Sequence, residues 1–262
     1  MTQNINFQEN IPSGFTKLDE MTGGWRSGDF VIIAGRPSMG KTAFALSMAR
    51  NMSVDDGCGA AYFSLEMSAE QAVKRMVRIG DWKISSADEH NSFACERGLK
   101  RLNAIVPKLY DAPVYIDDTP ALSELEFCEK CRRLKRENDI KVAIIDYLQL
   151  MKWSGGTGNR KLELSEIART LKAIAGEQNI AVIAFSQLNR YEENSTNMRP
   201  VLSDLPEGGF EQYADTVLFI YRTGYYDNMD TTQAEIIVAK NRNSVLGTAR
   251  LFFDKELCKF TD

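Results

Sequence analysis

The sequence has only one histidine, His90, among its 262 residues, and its five cysteines are scattered along the chain. Cys128 and Cys131 form the only closely spaced pair, and neither a second pair nor the histidine lies near them in the sequence. A structural zinc site needs about four such ligands, and an odd, dispersed set of cysteines is typical of reduced thiols. The sequence therefore predicts neither a zinc site nor a disulfide framework.

Long apolar runs are also missing. No apolar stretch approaches the length of a membrane-spanning helix. The first ten residues, MTQNINFQEN, have neither the basic nor the apolar part of a signal peptide. We therefore expect a cytoplasmic protein with no membrane partner. The net charge of -4 argues against a surface that binds nucleic acid everywhere, but it leaves room for a local patch.

Short apolar runs alternate with segments that have apolar residues at helical spacing. This alternation predicts an α/β fold with a mainly parallel central sheet flanked by helices. The last runs leave no room for helices between them, so antiparallel strands are expected at the carboxyl terminus. Residues 1–10 are expected to be a flexible tail and residues 11–262 a single domain. The runs are FVIIAG (30–35), AAYFSLE (60–66), VYIDD (114–118), VAIIDYLQLM (142–151), AVIAFSQL (181–188), TVLFIYR (216–222), EIIVAKN (235–241) and ARLFFD (249–254).

Residues 35–42, GRPSMGKT, match the phosphate-loop pattern GxxxxGK[ST] between an apolar strand and a helical segment. Glycines allow main-chain amides to turn towards phosphate, and the amino terminus of the helix adds partial positive charge. We expect Lys41 to bind the β- and γ-phosphates of ATP and Thr42 to bind Mg²⁺. The residues predicted to bind the nucleotide are Gly35, Arg36, Pro37, Ser38, Met39, Gly40, Lys41, Thr42 and Ala43.

Three polar residues follow other apolar strands, at the positions where parallel strands present ligands. Asp146 comes after four apolar residues in VAIIDYLQL and is expected to hold Mg²⁺ together with Thr42. Glu66, in AAYFSLEMS, could activate the attacking water, or it could cap the helix that begins near Ser68. Gln187, in AFSQL, could sense the γ-phosphate, or it could be a solvated strand end.

Two cations, Lys240 and Arg242, stand at the end of a strand in IVAKNRNSVL, and no acidic residue follows them until Asp254. Cations placed together are costly unless an anion approaches them. The pattern therefore predicts an anionic partner for this pair.

These motifs, in this order, resemble the RecA-like ATPase domain of the bacterial replicative DNA helicase, the DnaB family. The resemblance runs from about residue 11 to residue 262 without a large gap. It implies a RecA-like P-loop NTPase fold and an ATP-driven helicase motor that moves along single-stranded DNA as a homo-hexameric ring. The segments that carry it are GFTKLDEMTGG, GRPSMGKT, SLEMS, IIDYLQLM, SEIARTLKAIA, FSQLNR, EQYADTVLFIYR and AKNRN.

The resemblance also implies roles for individual residues. Glu66 would be the catalytic carboxylate, and Gln187 would sense the state of the nucleotide. Lys240 and Arg242 would reach the γ-phosphate bound by the neighbouring subunit, with Arg242 as the arginine finger. Without such a neighbour, we expect both cations to point into water and to be mobile.

In this family the loops that face the central channel bind DNA, and the matching segments are residues 154–163 and 203–211. Cations in the first loop could supply charge to DNA, or they could simply be solvated. In the second loop Pro206 stands where the family has an arginine, although main-chain amides of the glycines could still bind phosphate. The predicted DNA contacts are Arg160, Lys161, Glu207, Gly208 and Gly209.

Full-length members of the family have an amino-terminal domain that recruits primase, and only about ten residues precede IPSGF here. Contacts with primase or a helicase loader are not expected without that domain. Two alternatives are a RecA-type recombination ATPase, which forms filaments on DNA, and a nucleotide-switched adaptor of a helicase ring with little turnover. SLEMS and AKNRN argue against the first alternative. The combination of Glu66, Asp146, Gln187 and Arg242 argues against the second.

Overall fold

A nine-stranded sheet forms the centre of the part of the chain that the structure describes. The structure is a computed structural model, and it describes residues 10–80, 103–188, 198–205, 209–226 and 232–262. The strands are β1 (Phe30–Gly35), β2 (Ala60–Ser64), β3 (Val114–Asp117), β4 (Val142–Asp146), β5 (Ala181–Gln187), β6 (Thr216–Tyr221), β7 (Gln233–Asn241), β8 (Gly247–Asp254) and β9 (Lys259–Thr261).

The spatial order of the strands is β3-β2-β4-β5-β1-β6-β7-β8-β9. The six strands from β3 to β6 run parallel to one another, and β7, β8 and β9 continue the sheet in antiparallel pairs. This arrangement confirms the predicted fold class. Two predicted strands end at least two residues early. β2 stops at Ser64, and β4 stops at Asp146, shortly before a 3₁₀ turn (Leu148–Leu150). The short strand β9 was not predicted.

Helices cover both faces of the sheet. On one face, helices including α2 pack against the sheet through a buried cluster around Phe44. On the opposite face, α5 and α6 pack through a second buried cluster around Phe127 and Leu171. The helices are α1 (Thr16–Thr22), α2 (Lys41–Arg50), α3 (Ala69–Ile79), α4 (described over 103–111), α5 (Glu124–Asn138), α6 (Arg160–Gln178) and α7 (Thr223–Tyr226), with a π-helical turn (Asn51–Asp55) after α2.

The start of α6 differs from the prediction. The Oδ1 atom of Asn159 accepts the main-chain N–H groups of Lys161 at 3.1 Å and Leu162 at 3.3 Å, which is the geometry of an N-cap. The helix therefore begins at Arg160. The predicted loop 154–163 is thus too long, and Arg160 and Lys161 lie in the first helical turn.

An irregularity in β7 sets the direction of the two cations at its end. Lys240 lies opposite Val217 and Val238 lies opposite Leu218, so in the described sheet Ala239 is an extra residue without a partner on β6. Such a bulge shifts the alternation of side chains by one position. Lys240 would otherwise share the face of Val238, and it turns instead to the face covered by α6.

Candidate nucleotide site

The phosphate loop follows β1 at the carboxyl edge of the parallel strands and leads directly into α2. Ser38 has a φ of 65° and Gly40 a φ of 93°, so the loop turns through two left-handed positions. Gly40 also approaches Phe260 closely, because a Cβ built on Gly40 would lie 3.1 Å from that ring. Glycine is therefore required at this position both for its conformation and for its size.

Lys41 is almost fully buried at the centre of the loop. Its Nζ atom donates to the main-chain carbonyls of Gly35 at 3.0 Å and Arg36 at 3.1 Å. Burial lowers the pKa of Lys41 to about 8, while the charges of Asp146 and Glu66 act in the opposite direction. The ammonium group therefore lies where an anion would stabilise it.

Asp146 ends β4 and is 2% exposed. Its Oδ2 atom accepts a hydrogen bond of 2.9 Å from the hydroxyl of Tyr62, and its Oδ1 atom has no hydrogen-bond partner among the described residues. Burial raises the pKa of Asp146, while the side chains of Thr42 and Tyr62 and the charge of Lys41 act against that rise. A buried carboxylate oxygen without a donor, beside a threonine hydroxyl, fits Mg²⁺. That ion is usually bound by one or two carboxylates together with phosphate oxygens.

Glu66 lies two residues beyond the end of β2, in the bend that leads to α3, and it is exposed. The N-cap of α3 is Ser68, which forms a capping box with Gln71, so the alternative that Glu66 caps the helix is wrong. Its charge affects the pKa values of Lys41 and Asp146. Glu66 is therefore a solvent-exposed carboxylate beside the phosphate loop.

Gln187 is the last residue of β5 and pairs in register with Gly35, the last residue of β1. It is half-buried. The side chain of Gln149 bonds to both main-chain groups of Gln187, donating to its carbonyl at 3.2 Å and accepting from its N–H at 3.2 Å. Gln187 thus has an ordered main chain next to the phosphate loop, and the role of its side chain stays a prediction.

Lys240 and Arg242 lie at the opposite edge of the sheet. β7 is antiparallel to β6, so its end pairs with the start of β6. Arg242 Nη1 lies 3.5 Å from Asp215 Oδ1, and the other oxygen of Asp215 accepts the N–H of Phe30, the first residue of β1. β1 has six residues, so at about 3.3 Å per residue its two ends are about 17 Å apart.

Both cations are hydrogen-bonded to other residues of the chain. Lys240 Nζ donates to the carbonyl of Glu211 at 2.8 Å, and Arg242 Nη2 donates to that of Gln212 at 2.9 Å. Burial and the charge of Arg242 lower the pKa of Lys240. The Arg242 side chain is 51% exposed, whereas Lys240 is half-buried. The expectation that both would simply point into water is therefore wrong.

The predicted DNA contacts lie in different surroundings. Lys161 is exposed, but the guanidinium of Arg160 donates to the carbonyls of Gln149 and Met151, at 2.9 Å each. It is therefore not simply a solvated loop cation. The N–H of Gly209 donates to the Glu211 carboxylate at 2.6 Å. The other two predicted contacts, Glu207 and Gly208, lie outside the described residues.

Several polar residues near the site were missed by the sequence analysis. Asp204 forms an ion pair of 3.1 Å with Arg36 of the phosphate loop. The buried Arg222 stacks on the ring of Phe253, with its Cζ atom 4.0 Å from the ring centroid. Its Nη1 atom donates to the carbonyl of Ser38 at 3.4 Å. A polar residue at either end of an apolar run is the one signal that could have indicated Gln149, Asp215 and Arg222, and Tyr62 lies inside such a run.

The cysteines that the structure describes do not form a second site. Cys128 and Cys131 are buried on α5, and burial raises the pKa of Cys128 to about 11 and that of Cys131 further. Such thiols are unreactive. Over the described ranges, no three His, Cys, Asp or Glu side chains gather as metal ligands.

A phosphate loop on a mainly parallel sheet, with a buried aspartate on a second strand, defines a P-loop nucleotide-binding domain. The sequence model of one family within this class, described as "DnaB-like helicase C terminal domain", matches residues 10–262. The chain belongs to this family.

Known relatives agree with this assignment. The replicative DNA helicase DnaB of Geobacillus stearothermophilus is 44% identical over 256 residues, which cover 96% of this chain and 56% of that protein. The replicative DNA helicase DnaC of Bacillus subtilis (strain 168) is 45% identical over 256 residues, with the same two shares. The chain thus spans little more than half the length of these relatives.

Solved structures share the fold. The structure described as "ATPase Domain of G40P" has a TM-score of 0.88 and 38% identity, and the match covers 98% of this chain and 93% of that one. The one described as "The Structure Of A DnaB-Like Replicative Helicase And Its Interactions With Primase" has a TM-score of 0.89 and 39% identity, with coverage of 96% and 63%. Among the described residues, no helix is long and apolar enough to cross a membrane.

Proposed function

We propose that this chain is the ATP-hydrolysing motor domain of a replicative DNA helicase, which uses hydrolysis to move along single-stranded DNA and to separate the duplex. The observation that carries the proposal is the gathering of Lys41, Asp146 and Glu66 at one edge of the sheet, where their charges act on one another. The names of the relatives support the same activity.

The residues at this edge have separate roles in the transfer of the phosphoryl group to water. The amides of the phosphate loop and Lys41 bind the phosphates and neutralise their charge. Thr42 and Asp146 would hold Mg²⁺, which would supply positive charge to stabilise the phosphoryl group during transfer. Glu66, which is open to solvent, orients the attacking water and accepts its proton. The side chain of Gln187 senses the γ-phosphate.

Arg242 and Lys240 act on the nucleotide of a second copy of this chain. They lie at the amino end of β1, and the phosphate loop begins at its carboxyl end, about 17 Å away. A side chain does not span that distance within the subunit. We infer that the pair takes up the γ-phosphate of a neighbour, in exchange for the carbonyls that it now contacts and, for Arg242, the Asp215 carboxylate.

Single-stranded DNA contacts the loop near Gly209 and the first turn of α6. The N–H of Gly209 already donates to an anionic oxygen, the carboxylate of Glu211, and a DNA phosphate would replace that carboxylate. Glu207 and Gly208, which precede Gly209 in the sequence, remain predicted contacts, and Lys161 supplies charge from α6. Arg160 contributes less than predicted, because its guanidinium is held by carbonyls.

ATP hydrolysis with and without single-stranded DNA tests the proposal. The chain should hydrolyse ATP faster with DNA, and Glu66→Ala should lose roughly 100-fold or more of this activity while still binding ATP. Glu70→Ala is the matched control, since Glu70 is an exposed carboxylate paired with Lys74 on α3. Equally slow turnover by the wild type and by Glu66→Ala would instead support a nucleotide-switched adaptor.

The assembly formed with ATP, Mg²⁺ and single-stranded DNA provides a second test. Solution mass and electron micrographs should show closed rings. Open helical filaments would support the recombination ATPase instead, although the family assignment argues against it.

A further inference from the structure

The end of β5 extends beyond its neighbour on one side. β4 pairs with β5 only from Val142 to Ile145, opposite residues 181–184, because β4 then leaves this pairing for the turn Leu148–Leu150. On its other side, β5 stays paired with β1 through Gln187. Among the described strands, the last three residues of β5 therefore have no partner on the β4 side.

The side chain of Gln149 takes the place of the missing strand. Its Nε2 atom donates to Ser186 Oγ at 2.8 Å and to the carbonyl of Gln187 at 3.2 Å, and its Oε1 atom accepts the N–H of Gln187 at 3.2 Å. A primary amide carries both a donor and an acceptor, as a main-chain peptide does. Gln149 thus supplies the two kinds of bond that a neighbouring strand would supply.

The main chain of the same turn is tied to α6. Arg160 Nη2 donates to the carbonyls of Gln149 and Met151, at 2.9 Å each. Arg160 is the first residue of α6 and directly follows the polar loop 154–159. One short turn therefore connects this loop to the strand that ends beside the phosphate loop.

We propose that Gln149 is a positioning residue for nucleotide hydrolysis. It holds the main chain of Gln187 so that this side chain faces the γ-phosphate, and through Arg160 it transmits movement of the loop 154–159 to Gln187. This inference rests on the proposed function, because it assigns Gln149 to the coupling between DNA and ATP hydrolysis.

The test compares Gln149→Ala with Gln149→Met, which keeps the volume of the side chain but removes its hydrogen bonds. Both variants should lower kcat with saturating single-stranded DNA by about 10-fold, while KM for ATP changes by less than about twofold. The ratio of kcat with DNA to kcat without DNA should fall as well. Gln178→Ala on α6 is the matched control and should behave as the wild type.

A merely structural role predicts a different pattern. Loss of folded protein lowers kcat with and without DNA by the same factor, so an unchanged ratio would overturn the proposal, as would wild-type kcat in Gln149→Met. Arg160→Ala should reduce the ratio too, and the double variant should lose no more than the stronger single variant. If the wild type itself shows no DNA-stimulated hydrolysis, the proposed function fails. If it does and Gln149→Met keeps the full ratio, only the present inference fails.

Discussion

Raising the pH from 7 to 9 should weaken ATP binding, because the phosphates bind the protonated form of Lys41. Burial lowers the pKa of this lysine to about 8. A bound triphosphate raises the pKa again, since an adjacent anion favours the ammonium form. Binding of the nucleotide and uptake of a proton by Lys41 are therefore linked.

A pKa of about 8 sets the size of the effect. Lys41 carries its proton in about 90% of the free molecules at pH 7, about half at pH 8 and about 10% at pH 9. The affinity should change little below pH 7 and should fall by up to about tenfold per pH unit above pH 8. Binding at pH 8 should take up about half a proton.

The same shift has a second consequence, for the stability of the nucleotide-free chain. The unfolded chain keeps the lysine proton up to a pKa of about 10.4, and the folded chain loses it at about 8. Between these values the unfolded state binds more protons. The contribution of Lys41 to the free energy of unfolding therefore rises with pH in this window.

Calorimetric titration with a non-hydrolysable ATP analogue and Mg²⁺ measures the proton uptake, if it is repeated in buffers of different ionisation enthalpy. Lys41→Arg is the control, because a guanidinium stays protonated throughout this range. The difference in proton uptake between the wild type and the control should be largest near pH 9 and small at pH 7. Equal uptake by the two proteins at pH 8 and pH 9 would refute the linkage.

Three further perturbations follow from the site. Gly40→Ala should prevent tight ATP binding and lower the free energy of unfolding by about 1–3 kcal/mol, since the left-handed φ of Gly40 and the adjacent Phe260 ring exclude a methyl group. Urea denaturation of the ligand-free protein measures this loss, and an unchanged midpoint would contradict the prediction. Mixing Arg242→Ala with Glu66→Ala should restore part of the ATPase activity that each lacks alone, because a mixed assembly contains sites with both residues intact. No recovery in confirmed mixed assemblies would show that Arg242 is not an arginine finger in trans. Tyr62→Phe should lower the free energy of unfolding by about 1–2 kcal/mol near pH 7, because it removes the hydroxyl that donates to the buried Asp146 carboxylate. Thermal unfolding measures this loss, and an unchanged melting temperature would show that the hydrogen bond contributes nothing to stability.

The phosphate loop and its strand could be predicted because their signals are local. The pattern GRPSMGKT contains the glycines, the lysine and the threonine within eight residues, and β1 occupies the predicted residues 30–35. Asp146 could be placed for the same reason, since the apolar run before it is uninterrupted. The cap at Asn159 was also a local signal, but the polar residues around it masked the start of α6.

The remaining features depend on contacts between distant parts of the chain. Gln149 and Gln187 are separated by 38 positions, and Asp215 and Phe30 by 185. Neither pair leaves a spacing pattern, because the pairing follows from the order of the strands in the sheet. The bulge at Ala239 was equally hidden, since a run of β-branched residues does not show where its alternation shifts.

The two faces of the proposed contact between copies are different, so the contact is heterologous. One face presents Lys240 and Arg242 at the amino edge of the sheet, and the other presents Lys41 at the carboxyl edge. A linear row of copies would always end with one phosphate site lacking its cations and one pair of cations lacking a phosphate. Joining the two ends removes both deficits without any new kind of contact. In this proposed contact, Arg242 lies at the far end of the sheet from the phosphate loop of its own copy. A closed circle of copies is therefore the arrangement in which every site is complete.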